Sequence, residues 1–174
     1  MQKAALILEG GAKRGVFTSG VLDYLMEQEY YIPHVIGVSA GSCNAVDYVS
    51  RQPGRTKACM IRSGEDGKII NFHNFFQTKS LLDMDLIFER DPKELHPFDF
   101  DTYFASDMTC EIVVTNCESG QAEYYSEKED GDRLMQLCRA SSSMPLVTPM
   151  VEIDGVPYLD GGIADSIPLI HSMR

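Results

Sequence analysis

His34-Val35-Ile36-Gly37-Val38-Ser39-Ala40-Gly41-Ser42 is the stretch whose reading decides the fold. His34-Val35-Ile36 is a short apolar run, and Gly37-Val38-Ser39-Ala40-Gly41 is a G-x-S-x-G sequence, the pattern of a sharp strand-to-helix turn with serine at its tip. Glycines on either side of such a turn remove side chains that would clash where the backbone folds back on itself. Ser42 to Arg51 then reads as a helix of small and apolar residues, with Cys43, Ala45, Val46, Tyr48 and Val49, stopped by Pro53-Gly54. At average glycine usage the pattern is expected by chance on the order of 0.05 times in a chain of this length. Read alone, it remains open to a second meaning, a glycine-rich turn with no chemistry.

Working outward, Ala4 to Leu8 is continuously apolar, the pattern of a parallel strand buried on both faces. Gly10-Gly11-Ala12-Lys13-Arg14-Gly15 follows as a loop. Phe17, Val21 and Leu25, with Leu22 and Met26 beside them, recur at helical spacing and predict an amphipathic helix. Strand–helix–strand–helix within some fifty residues points to an α/β protein with a mainly parallel central sheet flanked by helices.

The middle is less regular. Gly64-Glu65-Asp66-Gly67 reads as a turn, and Asp91-Pro92 and His96-Pro97 are expected to break any helix near them. Glu111 to Cys117 and Gln121 to Ser126 predict a hairpin across Glu118-Ser119-Gly120. Asp132 to Ala140 reads as a helix ended by Ser141-Ser142-Ser143-Met144-Pro145. Val151-Glu152-Ile153 and Val156-Pro157-Tyr158-Leu159 flank Asp154-Gly155 as a second hairpin, whose outgoing arm reaches Asp160-Gly161-Gly162.

The chain has 174 residues, 44% apolar and 24% charged, which bounds it to one globular domain with a real core. A net charge of −11 argues against a nucleic-acid partner and against simple adsorption to anionic lipid. The five cysteines are scattered and contain no C-x-x-C pair, and the first apolar run is too short for a signal peptide or membrane span. A reducing, cytoplasmic setting is the expectation. Cys43, one helical turn past Ser39, reads as a packing residue.

A serine hydroxyl becomes a nucleophile when a base takes its proton, and acyl transfer needs donors for the developing oxyanion. Gly10, Gly11 and Gly15 lie in a loop that opens a helix, where free N–H groups favour an anion, and Arg14 adds a positive charge. A phosphate-binding turn is the other reading of this loop, although its G-G-x-x-x-G spacing differs from the dinucleotide fingerprint. None of His34, His73, His96 and His171 is an evident base: His34 is too near Ser39, His73 and His96 lie in the irregular middle, and His171 stands close to the end. A carboxylate can serve instead, and Asp160 ends a strand before two glycines, where it also reads as a turn-former. No cluster with metal-ligand spacing is visible.

Together the glycine loop with Arg14-Gly15, the Gly37–Gly41 elbow and Asp160-Gly161-Gly162 resemble the patatin-like phospholipases, from about Ala4 to Pro168. The resemblance implies a three-layer α/β fold and hydrolysis of acyl esters of phospholipids and related lipids by a Ser–Asp dyad without histidine or cofactor. It implies Ser39 as nucleophile, Asp160 as base, and Gly10, Gly11, Gly15 and Arg14 as the oxyanion loop. It also implies an acyl-lipid substrate and transient contact with a membrane surface, with the pocket walls expected from Ile69 to Phe104. Glu9 and Ala12 stand where the family often has Asp and Gly, and Asp165-Ser166 where Asn is common. Family members usually continue with further strand and helix beyond the point corresponding to Arg174, so an acyl hydrolase domain over 1–174 that is incomplete at its C-terminus is the expectation. The reading from a different class is a non-catalytic anion- or phosphate-binding module built on the Lys13-Arg14 loop.

Overall fold

The computed structural model describes residues 4–61, 80 and 82–173. The strands are β1 (Ala5–Leu8), β2 (His34–Val38), β3 (Thr109–Asn116), β4 (Ala122–Tyr125), β5 (Val151–Ile153) and β6 (Val156–Asp160). The helices are α1 (Gly15–Glu27), α2 (Ala40–Val49), α3 (Arg55–Met60), a π-helix (Leu86–Leu95), α4 (Phe100–Ala105), α5 (Gly131–Ser141) and α6 (Leu169–Ser172). The sheet order is β1-β2-β3-β6-β5, with β4 also on β3. Only β1, β2 and β3 run parallel, and every pairing of β4, β5 and β6 is antiparallel, so the α/β sheet is mixed. The predicted Gly64–Gly67 turn lies outside the described residues.

Strand β3 organises the site. Its residues 109–113 pair with β2, residues 112–115 with β4, and residues 114–116 with β6. A strand has two edges and β4 overlaps both other partners, so β2 and β6 must share the opposite edge, end to end. Because β2 is parallel to β3 and β6 antiparallel, they arrive from opposite directions and finish side by side: Val38 pairs with Val113 and Asp160 with Val114. The residues at these two strand ends, Ser39 and Asp160, therefore meet.

Alternate residues of β2 and β3 face opposite ways. Val35, Cys110, Ile112 and Val114 join the main core with Tyr48, Val49, Leu134 and Leu137, beneath α2 and α5. Ile36, Val38 and Val113 form a smaller cluster on the other face. There α6 covers the sheet: His171 stacks on Tyr124 at 3.5 Å and reaches Glu111 at 3.1 Å. The third layer is thus a single four-residue helix among the described residues.

Three local expectations change. Strand β1 is a sheet edge and only half-buried rather than enclosed on both faces. Helix α1 buries Gly15, Ser19, Leu22 and Met26, whereas Phe17 is 82% exposed and Val21 49%. The reason is close packing on α2: a Cβ on Gly15 would lie 3.2 Å from the Ala40 Cβ, so the small residues choose the buried face. Asp91-Pro92 does not break a helix but lies within the π-helix. Proline cannot donate and its ring displaces the carbonyl one turn back, which a wider turn takes up.

Candidate active site

Ser39 stands between β2 and α2 with φ 55°, ψ −126°, a conformation a non-glycine residue holds only where its surroundings impose it. Both elbow glycines are explained by backbone contact. A Cβ on Gly37 would lie 2.5 Å from the Gly41 carbonyl oxygen, and a Cβ on Gly41 2.0 Å from the Leu8 carbonyl oxygen. The turn is therefore tight against itself and against the end of β1, which brings the glycine loop over the serine. A Cβ on Gly10 would fall 2.8 Å from the Ser39 Cβ and 3.5 Å from its Oγ.

Asp160 is 7% exposed and pinned through its backbone: its N–H donates to Ser143 O at 2.8 Å and its carbonyl accepts from Thr115 Oγ1 at 2.8 Å. Its carboxylate accepts from the Gly162 N–H at 2.8 Å, and the Ser39 hydroxyl lies near enough to act on its charge. Burial raises its pKa above the ordinary carboxylate value, and the neighbouring Ser39 hydroxyl and Gly162 N–H pull it part of the way back. The structure thus brings Ser39 and Asp160 into contact.

The four predicted loop residues divide. Gly10 backs onto Ser39, and Gly11 has φ 150°, with the Arg14 side chain folded against it. The Arg14 N–H donates to Gly11 O at 3.0 Å, and Gly15 N–H is taken up by the carbonyls of Ala12 and Lys13. Gly15 is consequently a packing residue for α2 and not a free donor, a correction to its expected role. Its carbonyl accepts from Asn44 Nδ2 at 3.1 Å, tying the two helix starts together.

No described histidine joins this pair. His34 Nε2 lies 2.6 Å from Glu111 Oε2, the same carboxylate that holds His171, so His171 is anchored rather than frayed. His96 Nδ1 lies 2.7 Å from Asp91 Oδ1, and His73 is outside the described residues. Asp165 accepts from the Tyr124 hydroxyl at 2.6 Å. Burial pushes the Cys43 thiol up to about 12, which leaves it inert, as expected of a packing residue.

The sequence reading marked the Ser141-Ser142-Ser143 run as a helix end but gave no role to the two positioning serines within it. Ser141 Oγ accepts from Ser39 N–H at 2.8 Å and donates to Val113 O at 2.6 Å, bridging the elbow to β3. Ser143 supplies the carbonyl that holds Asp160. Ser141→Ala is expected to cost about 1–3 kcal/mol, because it leaves two buried backbone groups unpaired. Urea melts measure this, and an unchanged midpoint would show that Ser141 is not a brace.

Ser39 opens on a cavity of about 350 Å³. Its walls include Met60, Leu82, Met84, Ile87, Phe88, Met135, Met144 and Val147, a flexible apolar lining. Of the expected wall, 69–79 and 81 lie outside the described residues, Leu82 to Asp91 contributes, and Phe98 and Tyr103 are core residues instead. Sequence spacing showed no metal-ligand cluster, but the fold gathers Cys59, Asp91 and His96, whose ligand atoms lie within 4.8 Å of one another.

A serine at a strained elbow, a carboxylate at a neighbouring strand end and a glycine loop beside the serine lie together on one edge of an α/β sheet, with the elbow geometry of a G-x-S-x-G turn. The chain belongs to the patatin-like phospholipase family, whose model matches residues 6–172. It is similar to the uncharacterized protein YjjU of Escherichia coli (strain K12), 29% identical over 177 residues, covering 99% of this chain and 49% of that protein. The chain thus spans about half the length of the curated relative it matches. No helix among the described residues is long and apolar enough to cross a membrane.

Proposed function

We propose that this chain hydrolyses acyl esters of phospholipids or related lipids with Ser39 as nucleophile and Asp160 as general base. The observation that carries the reading is the convergence of two strand ends on β3, which sets Asp160 beside Ser39, itself on the wall of an apolar cavity. Asp160 takes the Ser39 proton as Oγ attacks the ester carbonyl, and N–H groups of the Gly10–Gly11 turn stabilise the oxyanion. Collapse of the tetrahedral intermediate expels the alcohol, which takes the proton back from Asp160, and leaves an acyl-serine. Water then gives a proton to Asp160 as it attacks the acyl carbon, and as the acyl–oxygen bond breaks Asp160 returns that proton to Ser39 Oγ, releasing the fatty acid and restoring both residues. The acyl chain lies along the methionine-rich wall. The headgroup stays outside, which fits a cytoplasmic protein that meets a membrane surface transiently and needs no cofactor for the reaction.

Treatment with a fluorophosphonate is expected to add one covalent group, mapped by peptide mass to Ser39. The competing reading, an anion-binding module, predicts a protein that takes no adduct and whose melting temperature rises with phosphate. The buried Asp160 carboxylate beside Ser39 disfavours an anion there. A folded protein with neither adduct nor ester turnover would overturn the hydrolase reading.

A further inference from the structure

We propose that Cys59, Asp91 and His96 form a binding site for one divalent cation of the Zn²⁺ type, distinct from the Ser39–Asp160 pair and independent of the hydrolase reading. The three residues come from two elements. Cys59 lies in α3, Asp91 in the π-helix, and His96 just after it. The π turn creates the juxtaposition: His96 N–H donates to Asp91 O at 2.9 Å, an i→i+5 bond that brings the two side chains together. Their side chains meet at 2.7 Å between His96 Nδ1 and Asp91 Oδ1. Thiolate, imidazole and carboxylate are the ligand types zinc takes, and ligand atoms around a tetrahedral ion lie about 3.3–3.8 Å apart given its bond lengths. The ligand atoms here lie within 4.8 Å of one another, so an ion would draw the wider pairs in and part the 2.7 Å His96–Asp91 pair.

Charge and support agree with a dication. Asp91 is 1% exposed, and beside it the Arg55 guanidinium pairs with Asp47 at 2.8 Å, while Thr56 Oγ1 also donates to Asp47. Two carboxylates against one guanidinium leave a buried charge of −1 when the thiol and imidazole are neutral. Binding M²⁺ with loss of the Cys59 proton to solvent adds +1 and makes the cluster neutral. His96 ligates through Nδ1 as the neutral tautomer with its proton on Nε2, so one proton is released per ion. Arg55 Nε donates to His96 O at 3.0 Å and fixes the third ligand's backbone. Cys59 and Asp91 both line the cavity, so three protein ligands leave a fourth position on the cavity side. The ion would pin α3 to the π-helix and set the shape of that wall.

The test is titration of the chelator-treated full chain with Co²⁺, then Zn²⁺. One equivalent of Co²⁺ is expected, with a thiolate-to-cobalt charge-transfer band that Zn²⁺ abolishes. Calorimetry in two buffers should give one proton released per ion. Cys59→Ser should remove the band, and His96→Gln, at a half-exposed position, should weaken binding at least tenfold. Zn²⁺ should raise the melting temperature of the wild type and leave that of Cys59→Ser unchanged. No saturable uptake by the wild type, or uptake that survives both substitutions, overturns the proposal. Neither result bears on adduct formation at Ser39, so the two readings fail separately.

Discussion

Asp160→Asn is expected to lower the turnover of an aryl or lipid ester by about 10²–10⁴-fold, the contribution of a positioned general base. Ser39→Ala should go further, to background, because no acyl-enzyme can form. The Asn variant is the more informative, since its Oδ1 can still accept the Gly162 N–H that Asp160 Oδ1 accepts at 2.8 Å. Its stability should therefore be kept while its chemistry is lost. The pKa of Asp160 is raised chiefly by burial, so folding favours the protonated carboxyl. That contribution to stability is fully present below the unfolded-state pKa and is lost as pH rises through the higher folded value. At neutral pH the charge is a cost, and the Asn variant should melt no lower than the wild type. Activity has the opposite sign, because a base must be ionised. The rate should fall as pH drops through the raised value, with the acid limb lying above that of an exposed aspartate. His171→Asn should keep most of the activity, as His171 is committed to Glu111 and Tyr124. Turnover within tenfold of wild type in Asp160→Asn would remove aspartate from the mechanism.

Features set by neighbours in sequence were legible in it. The elbow, both hairpins, and the helices after the glycine loop and before Ser141 lie within a residue or two of their expected places. Features set by distant backbone were not. Which face of α1 is buried depends on Gly15 meeting Ala40, a contact that the apolar spacing of Phe17 and Val21 cannot express. The edge position of β1 depends on sheet order, and the π-helix on how a proline is accommodated rather than on whether one is present. The meeting of Ser39 and Asp160 needs two registers on one edge of β3, information that no local pattern carries. Family resemblance supplied the pairing, but the registers give its physical cause. The same resemblance placed Gly15 among the oxyanion donors, whereas its N–H is consumed in the turn before α1. Cys59, Asp91 and His96 were invisible for the same reason as the strand registers, since α3 and the π-helix meet only in the folded chain.

Gly41→Ala should be the most damaging glycine-to-alanine substitution among the described residues. The added Cβ would sit 2.0 Å from the Leu8 carbonyl oxygen, 2.7 Å from its carbon and 2.8 Å from the Glu9 carbonyl oxygen. All three are backbone atoms, so no side chain can swing aside to relieve the clash. Relief requires α2 to move away from the end of β1, and Gly10 moves with that end relative to Ser39. Overpacking of this kind costs about 1–3 kcal/mol and occasionally more, and a backbone clash at 2.0 Å belongs at or above the top of that range. For a chain of this size about 3 kcal/mol lowers the melting temperature by roughly 6–12 °C. Fluorophosphonate labelling should slow even at temperatures where the variant remains folded, because the oxyanion turn is displaced from the nucleophile. Gly20→Ala is the matched control: a Cβ there meets nothing within 4 Å, on the exposed side of α1. In a helix interior that change should stabilise by roughly 0.5–1 kcal/mol. Thermal melts of both variants at one pH decide the matter. Equal melting temperatures would mean that the elbow is not wedged against β1, and the structural account of the G-x-S-x-G glycines would fall with it.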